Sequence, residues 1–431
     1  MKKTVFSIVF IVSFGLLNAQ SCFTTFSTYS TGINPQGVLL KDLNSDGKAD
    51  MVVSIASGTS THLVSVYLNN GSGAYTTHVD YTVDAIPIGI ASADFNGDGK
   101  PDLAVACSGN TANDVSILLN AGAGTFSTAV NYTVGSSGPT CVVTADFNND
   151  TKIDIAVSNQ NSSNISVLFG TGTGAFGSPA TYATGSNITG LATADFNGDG
   201  FYDVATSNYN TSSSVSVLLN TGTGTFTTAV SYSSGGLKCA AITTGDFNGD
   251  SKTDLAIANR GSSGAVLLGT GSGTFGSPIS YPTSANPNSI VATDINSDGK
   301  TDLATANLTG GNVSILMGDG TGNFNVSTSL NAGSDPVWIS AGDVNGDSKP
   351  DLAVVNLLSN DAYVYLNSAT TTTITGVPYK SFYCYGDSVL LNAGGSINYN
   401  WSTGSANNTY YMLSSSLSFV FSALSSLSVF S

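Results

Sequence analysis

The chain has 431 residues, 41% hydrophobic and 9% charged, with 28 acidic residues against 12 basic ones and a formal charge of −16. That hydrophobic share excludes a disordered acidic chain. A single Arg and eleven Lys in no basic run exclude nucleic-acid binding.

Residues 1–19 read as a secretory signal: Lys2 and Lys3 form the charged start, 5–17 the apolar run, and Leu-Asn-Ala a cleavage site before Gln20. The run is short for a membrane span, so a secreted or cell-surface protein is expected. Losing those two Lys takes the formal charge from −16 to −18. Five Cys follow at 22, 107, 141, 239 and 384, with no Cys-x-x-Cys pair. Cys107, Cys141 and Cys239 lie in apolar runs and read as buried thiols. An odd count leaves at least one Cys unpaired within the chain, and the spacing assigns no bridge.

From residue 42 a nine-residue phrase, Asp-x-Asn-x-Asp-(Gly/Ser/Thr)-x-x-Asp, occurs seven times, beginning at Asp42, Asp94, Asp146, Asp195, Asp246, Asp294 and Asp343. The steps are 52, 52, 49, 51, 48 and 49 residues. No Glu occurs, and the seven phrases hold 21 of the 28 Asp, so the acidity is placed rather than spread. In the second repeat, 88–93 is apolar, the phrase fills 94–102, 103–107 and 115–119 are apolar, 121–124 is a Gly-rich turn and 125–134 alternates. That predicts four short strands per repeat. No helical period appears outside the leader. Seven four-stranded units predict an all-β fold, a seven-bladed β-propeller over 20–368.

The N-terminus supports ring closure. Phe126/Tyr132/Gly135, Phe176/Tyr182/Gly185 and Phe226/Tyr232/Gly235 share one spacing, and Phe23/Tyr29/Gly32 repeats it. The seventh repeat supplies only three strands, ending near Asn367, so 22–32 is expected to add its fourth. Closure would pair the two ends of the ring and leave only short, protected edges; a monomer is the expected form.

The phrase suits a hard cation, most simply Ca²⁺, which takes about six to eight oxygens. In the first loop Asp42, Asn44 and Asp46 offer side-chain oxygens, Lys48 a backbone carbonyl and Asp50 a further carboxylate. The equivalent sets are Asp94, Asn96, Asp98, Lys100 and Asp102; Asp146, Asn148, Asp150, Lys152 and Asp154; and Asp195, Asn197, Asp199, Phe201 and Asp203. They continue with Asp246, Asn248, Asp250, Lys252 and Asp254; Asp294, Asn296, Asp298, Lys300 and Asp302; and Asp343, Asn345, Asp347, Lys349 and Asp351. Seven divalent cations would offset fourteen charges, so binding and folding are expected to be coupled. The loop begins like an EF-hand, but no Glu stands at position 12 and its flanks are strands. Position 6 is Gly47, Gly99, Gly200 and Gly299 in the loops starting at 42, 94, 195 and 294. It is Thr151, Ser251 and Ser348 in the others. A turn with φ > 0 there favours Gly by on the order of 1 kcal/mol, so those three loops are expected to bind more weakly. The position-7 Lys is expected to turn its ammonium away from the ion while offsetting nearby Asp charge.

"DFNGDGKPDLAV" at 94–105, with "DLNSDGKAD", "DFNGDGFYD" and "DINSDGKTD", resembles the FG-GAP/VCBS repeat of integrin-α-like propellers over roughly residues 22–368. The resemblance implies a seven-bladed propeller with Ca²⁺ in its hairpin loops, an extracellular location and a role in adhesion or recognition. This chain departs from that pattern in carrying a loop in every blade, three of them without Gly.

In an up-and-down blade the loops and the Gly-x-Gly runs (Gly122/Gly124, Gly222/Gly224, Gly170/Gly172/Gly174) share one face. Those runs read as turns, since no helix follows them. The opposite face is built from 108–113, 159–164, 208–213, 259–264, 307–312 and 356–360 with the links between blades, and is rich in Asn, Ser and Gly. Asn159, Asn208, Asn259, Asn307 and Asn356 recur there, with Ile55 and Cys107 at the equivalent places of the first two repeats. They read either as a polar ring for a glycan or protein ligand, or as Asn bonded to neighbouring backbone. Membrane association would be indirect.

Catalysis finds little support. Outside the loops only Asp80, Asp84, Asp114, Asp319, Asp335, Asp361 and Asp387 remain, and His62 and His78 are the only His. Some FG-GAP-like propellers are polysaccharide lyases, which makes a lyase, or a non-catalytic subunit of a polysaccharide-degrading system, the alternative to a binder. Residues 369–383 read as a linker. The stretch 384–412 resembles the start of an Ig-like/PKD-like module with Trp401 as its core aromatic, so 384–431 is expected to form a partial β-sandwich.

Overall fold

The computed structural model describes residues 22–57, 61–71, 73–109, 113–210, 213–261 and 263–368, together with four short C-terminal strands. No helix occurs among the described residues.

Seven four-stranded antiparallel sheets form seven blades. Blade 1 runs Pro35–Lys41, Asp50–Ile55, Leu63–Asn69 and Tyr75–Thr82 from inside to outside, and blade 4 runs Ile188–Ala194, Asp203–Asn208, Ser214–Leu218 and Val230–Ser233. The innermost strand of each blade touches those of both neighbours, and Pro35–Lys41 touches Pro336–Gly342 of blade 7, so the blades close a ring.

Closure is made as the aromatic spacing predicts. Phe23–Ser30 pairs antiparallel with Asp361–Asn367, from Phe23 opposite Asn367 to Ser30 opposite Asp361, and becomes the outer strand of blade 7. Tyr29 then meets Tyr75 of blade 1 edge-on, ring centroids 5.2 Å apart. The same contact recurs around the ring: Tyr81 with Phe126, Tyr132 with Phe176, Tyr182 with Phe226 and Tyr232 with Phe275. The Phe/Tyr period is therefore an interlock between adjacent blades.

The core lies between blades rather than inside one sheet. Second strands such as Asp203–Asn208 are buried along their whole length, because neighbouring blades cover both faces. This explains why they read as near-continuous runs of small and apolar residues. Loop position 2 (Leu43, Phe95, Phe147, Phe196, Phe247, Ile295 and Val344) is the deepest anchor, each 2% exposed or less.

The fourth strand departs from the expected continuous 125–134. In blade 2 a two-residue bridge at Thr125–Phe126 is separated from Val130–Thr133. The Ser127 hydroxyl takes the Leu119 N–H that a continuous ladder would use, and Thr227 does the same to Leu219 in blade 4. Among the C-terminal segments, Ser388–Leu391 pairs with Phe419–Ser422 and Trp401–Thr403 with Ala406–Tyr410. The leader, the linker and the remainder of the expected C-terminal module lie outside the described residues.

Candidate functional site

Each Asp-rich loop joins the first strand of a blade to the second and folds around its own position-1 carboxylate. In the first loop Asp42 Oδ1 accepts the Ser45 N–H at 2.7 Å and Oδ2 accepts the Gly47 N–H at 2.8 Å. The position-6 N–H reaches Oδ2 in all seven loops, whether it comes from Gly, Thr151, Ser251 or Ser348. The position-3 Asn oxygen accepts the position-5 N–H, and the position-5 Asp oxygen accepts the position-7 N–H. Position 6 has the expected positive φ: 82° at Gly47 and 89° at Gly200, but also 68° at Thr151, 63° at Ser251 and 64° at Ser348. Position 4 is left-handed as well, a second constraint that reading the phrase missed, occupied by Gly97, Gly198, Gly249 and Gly346 but also by Ser45, Asn149 and Ser297.

Position 9 plays a different part from positions 1 to 5. Asp50, Asp102, Asp154, Asp203, Asp254, Asp302 and Asp351 open the second strands and are 0% exposed. One oxygen of Asp203 accepts the Phe196 N–H at 2.9 Å and the other the Asn220 N–H at 2.7 Å. Each carboxylate thus ties the loop's start to the end of the third strand. Burial pushes Asp302 up to about 7 and Asp50, Asp154, Asp203 and Asp351 to about 6, with other carboxylates of the same loop adding to it. Asp102 and Asp254 move in the same direction for the same reason.

The loops are also tied across blades. Every position-2 carbonyl accepts a hydrogen bond from the next blade, from the end of its third strand or the turn that follows. In four cases the donor is an Asn amide: Asn69 to Val344, Asn120 to Leu43, Asn220 to Phe147 and Asn367 to Ile295. In three it is a Gly N–H: Gly174 to Phe95, Gly273 to Phe196 and Gly322 to Phe247, each at 2.9 Å. The loops and Gly-rich turns therefore share one face, as topology requires.

The loops fit a hard cation chemically. Their donors are all oxygen, and the seven position-9 carboxylates are buried with no ion pair among the described residues. An uncompensated buried charge is costly, and a divalent cation in the loop would supply the missing charge. No three acidic, His or Cys side chains of the described residues are gathered as a metal-holding cluster; within the first loop Asp50 is buried, whereas Asp42 is half-buried and Asp46 exposed. Four of the six position-7 Lys offset the charge of a loop carboxylate, as expected. Lys100, Lys152, Lys252 and Lys349 sit 2.9, 3.2, 3.1 and 3.5 Å from the position-5 carboxylate of their own loop. Lys100 holds the Asp98 carboxyl below its ordinary range through that hydrogen bond.

The FG-GAP-like repeat family matches six overlapping windows, 42–105, 94–157, 146–206, 202–257, 246–305 and 294–354, each running from one loop through the next loop or strand. The chain belongs to the FG-GAP-like repeat family. No curated protein matches it in sequence. Two solved structures of BBS1N in complex with ARL6DN, one soaked with mercury and one with lead, are similar in fold. They have TM-scores of 0.55 and 0.56 and 13% and 12% identity, and the alignments cover 80% of this chain and 96% of each of those.

On the face away from the FG-GAP loops, each inner strand is preceded by a left-handed residue: Asn34, Ile86, Gly138, Asn187, Lys238, Asn286 and Asp335. Its carbonyl accepts the N–H of the residue just past the second strand or at its end: Ala56, Ser108, Gln160, Tyr209, Arg260, Leu308 and Leu357. The five recurrent Asn lie one residue earlier and are 0% exposed, so they do not form an accessible polar ring. Nor do they mainly cap backbone. Asn159 donates to Asn164 and Ser166, Asn208 to Ser214 and Ser216, Asn307 to Asn312 and Ser314, and Asn356 to Asp361; Asn259 alone reaches a carbonyl, that of Ser234.

Two chemical groupings on this face escaped sequence reading. Asp84 and Asp114 come together, and burial followed by the Asp84 carboxylate raises Asp114 to about 6. Arg260, Lys238 and Tyr209 also converge, drawn from separate blades and the link between them. The two His stand apart: His78 lies 3.4 Å from Asp80, and the buried His62 Nδ1 lacks a hydrogen-bond partner among the described residues. Cys107, Cys141 and Cys239 are buried free thiols, and Cys22 is disulfide-bonded.

Proposed function

We propose that this protein is a secreted or cell-surface recognition module whose seven loops hold Ca²⁺ as structural staples and whose opposite face receives an extracellular protein or glycan. The calcium reading is carried by the buried, unpaired position-9 carboxylate repeated in every blade. When bound, the ion would supply positive charge beneath which those seven carboxylates are stable at neutral pH. Asp, Asn and the position-7 carbonyl of each loop would hold it, and Gly47, Gly99, Gly200 and Gly299 would mark the stronger sites.

The recognition reading draws support from that face. Its links and turns expose Ile33 (67%), Leu237 (63%) and Leu358 (65%), apolar side chains that packing within the fold does not require. BBS1N, alike in fold, is itself found in complex with a protein. The test is retention of the calcium-loaded protein on arrays of extracellular proteins and glycans. Ile33→Ser with Leu358→Ser is expected to abolish retention, whereas Tyr202→Ser on the loop face leaves it intact. The opposite pattern would place recognition on the loops. The lyase alternative has one observation in its favour, the Asp84–Asp114 pair with a carboxyl near the pH of proton transfer. Absorbance at ultraviolet wavelengths on acidic polysaccharides tests it, with no product expected.

A further inference from the structure

Blade 5 differs from the other six in charge. Among the described residues, Lys48, Lys100, Lys152, Lys252, Lys300 and Lys349 belong to the acidic loops and Lys41 adjoins the first of them. The only other described Lys and Arg are Lys238 and Arg260. They occupy the two hydrogen-bonded positions at the start of the inner strand and the end of the second strand of this one blade. At the equivalent pairs the other blades are uncharged, or acidic at Asp335.

The two cations are organised around one ring. The Arg260 guanidinium carbon lies 5.0 Å from the Tyr209 ring centroid and Lys238 Nζ lies 6.0 Å from it. Arg260 Nε donates to Asn288 Oδ1 at 2.8 Å, Nη2 donates to the same oxygen, and Nη1 donates to the Tyr209 hydroxyl at 3.3 Å. Asn288 is itself fixed through its amide to the Val337 carbonyl at 2.7 Å. A guanidinium has five N–H donors, so two remain uncommitted in a side chain already held in place. Neither cation has a carboxylate partner among the described residues.

We propose that Arg260 and Lys238 form a carboxylate-binding site for an acidic side chain of a partner protein, which rests on the recognition reading of this face. Arg presents a planar fork that matches a carboxylate, and Lys adds a mobile second charge. A peptide is favoured over an acidic glycan because the Tyr209 ring, the aromatic surface on which a sugar would stack, is already covered by the cations. Leu237, 63% exposed, stands beside Lys238 and suits an apolar neighbour of the acidic residue. The blade's own acidic loop does not neutralise the site. It lies at the far end of Asp254–Asn259, roughly 20 Å away at about 3.3 Å per strand residue. That exceeds the screening length of about 8 Å at physiological salt.

The experiment is fluorescence anisotropy of the full chain in Ca²⁺ with labelled deca-glutamate, its deca-glutamine counterpart and labelled oligogalacturonate. Seven bound Ca²⁺ would offset fourteen of the sixteen net negative charges, so the Arg260 and Lys238 variants, rather than overall repulsion, show that binding is local. Deca-glutamate is expected to bind and deca-glutamine not. Arg260→Gln should weaken binding at least tenfold, Lys238→Gln several-fold, and Arg260→Lys should fall between wild type and Arg260→Gln. Lys238 is exposed, so its variant keeps the fold, and melting curves check that Arg260→Gln does too. The proposal is overturned by equal binding of the two peptides, by unchanged affinity in Arg260→Gln, by no peptide binding at all, or by preference for oligogalacturonate. Array retention that survives Arg260→Gln sinks this site while leaving the recognition reading in place. Silent arrays with intact deca-glutamate binding sink that reading and leave the site.

Discussion

Ring closure by the N-terminal strand can be tested by deleting residues 21–33. The deletion removes the 5%-exposed Phe23, the Phe26 ring stacked on Tyr363 at 4.8 Å and the Tyr29–Tyr75 contact at 5.2 Å. Burying one Phe contributes about 1.5–3 kcal/mol, and each aromatic pair adds about 0.5–1.5 kcal/mol. Together these come to roughly 4 kcal/mol, before counting Asp361–Asn367, which becomes an open edge. At about 2–4 °C per kcal/mol for a large domain, the melting temperature should fall by roughly 8 °C or more. Because Cys22 is disulfide-bonded, the proper reference is Cys22→Ser, not wild type. Differential scanning calorimetry of the two proteins is the assay. A deletion that melts within about 2 °C of Cys22→Ser, less than 1 kcal/mol on that scale, would refute closure by this strand.

Other outcomes follow from the loops and their ties. Asn220→Ala removes the bonds to the Phe147 and Tyr202 carbonyls at 2.7 and 3.0 Å. It should cost about 1–3 kcal/mol for buried groups left unpaired, read as a lower denaturant midpoint; an unchanged midpoint would show the blade-to-blade tie to be idle. In calcium-free protein burial raises every position-9 Asp, Asp50, Asp154, Asp203 and Asp351 to about 6 and Asp302 to about 7, above the 3.8 of the free side chain. Their stabilising contribution is therefore complete below the unfolded value and lost as pH rises through about 4 to 7. Calcium-free protein should melt higher at pH 5 than at pH 7, and saturating Ca²⁺ should remove or reverse that slope; parallel profiles would argue against a cation in the loops. Thr151→Gly relieves a φ of 68° and should raise calcium affinity at the third loop by a few-fold, measured by titration against wild type.

Much of the architecture was legible because one constraint repeats. The Asp phrase marks every hairpin between first and second strands, and the Phe/Tyr spacing marks most of the interlocks, including the one at Tyr29; Leu330 takes the Tyr place in blade 6. What stayed hidden is what no single repeat contains. The carbonyl ties join Asn220 to Phe147 across 73 residues and alternate between Asn amides and Gly N–H groups, so no one residue type signals them. The Asn at 159, 208, 259, 307 and 356 repeat as a binding residue would, yet they are buried, bonded to Ser or Asn of the next strand at 159, 208 and 307, to Asp361 at 356 and to the Ser234 carbonyl at 259. Arg260, Asn288 and Tyr209 meet from three successive blades. Only the ring brings them together, and so the cation site was invisible along the chain.

The most direct test of the loops as calcium sites is titration of Ca²⁺ onto calcium-free protein by calorimetry, with the melting temperature followed in parallel. The expected result is uptake approaching seven ions in two classes, the loops at 42, 94, 195 and 294 filling first, with a rising melting temperature. No uptake above the millimolar range of extracellular calcium modules, about 0.1–1 mM, with a melting temperature unmoved by Ca²⁺, would contradict it.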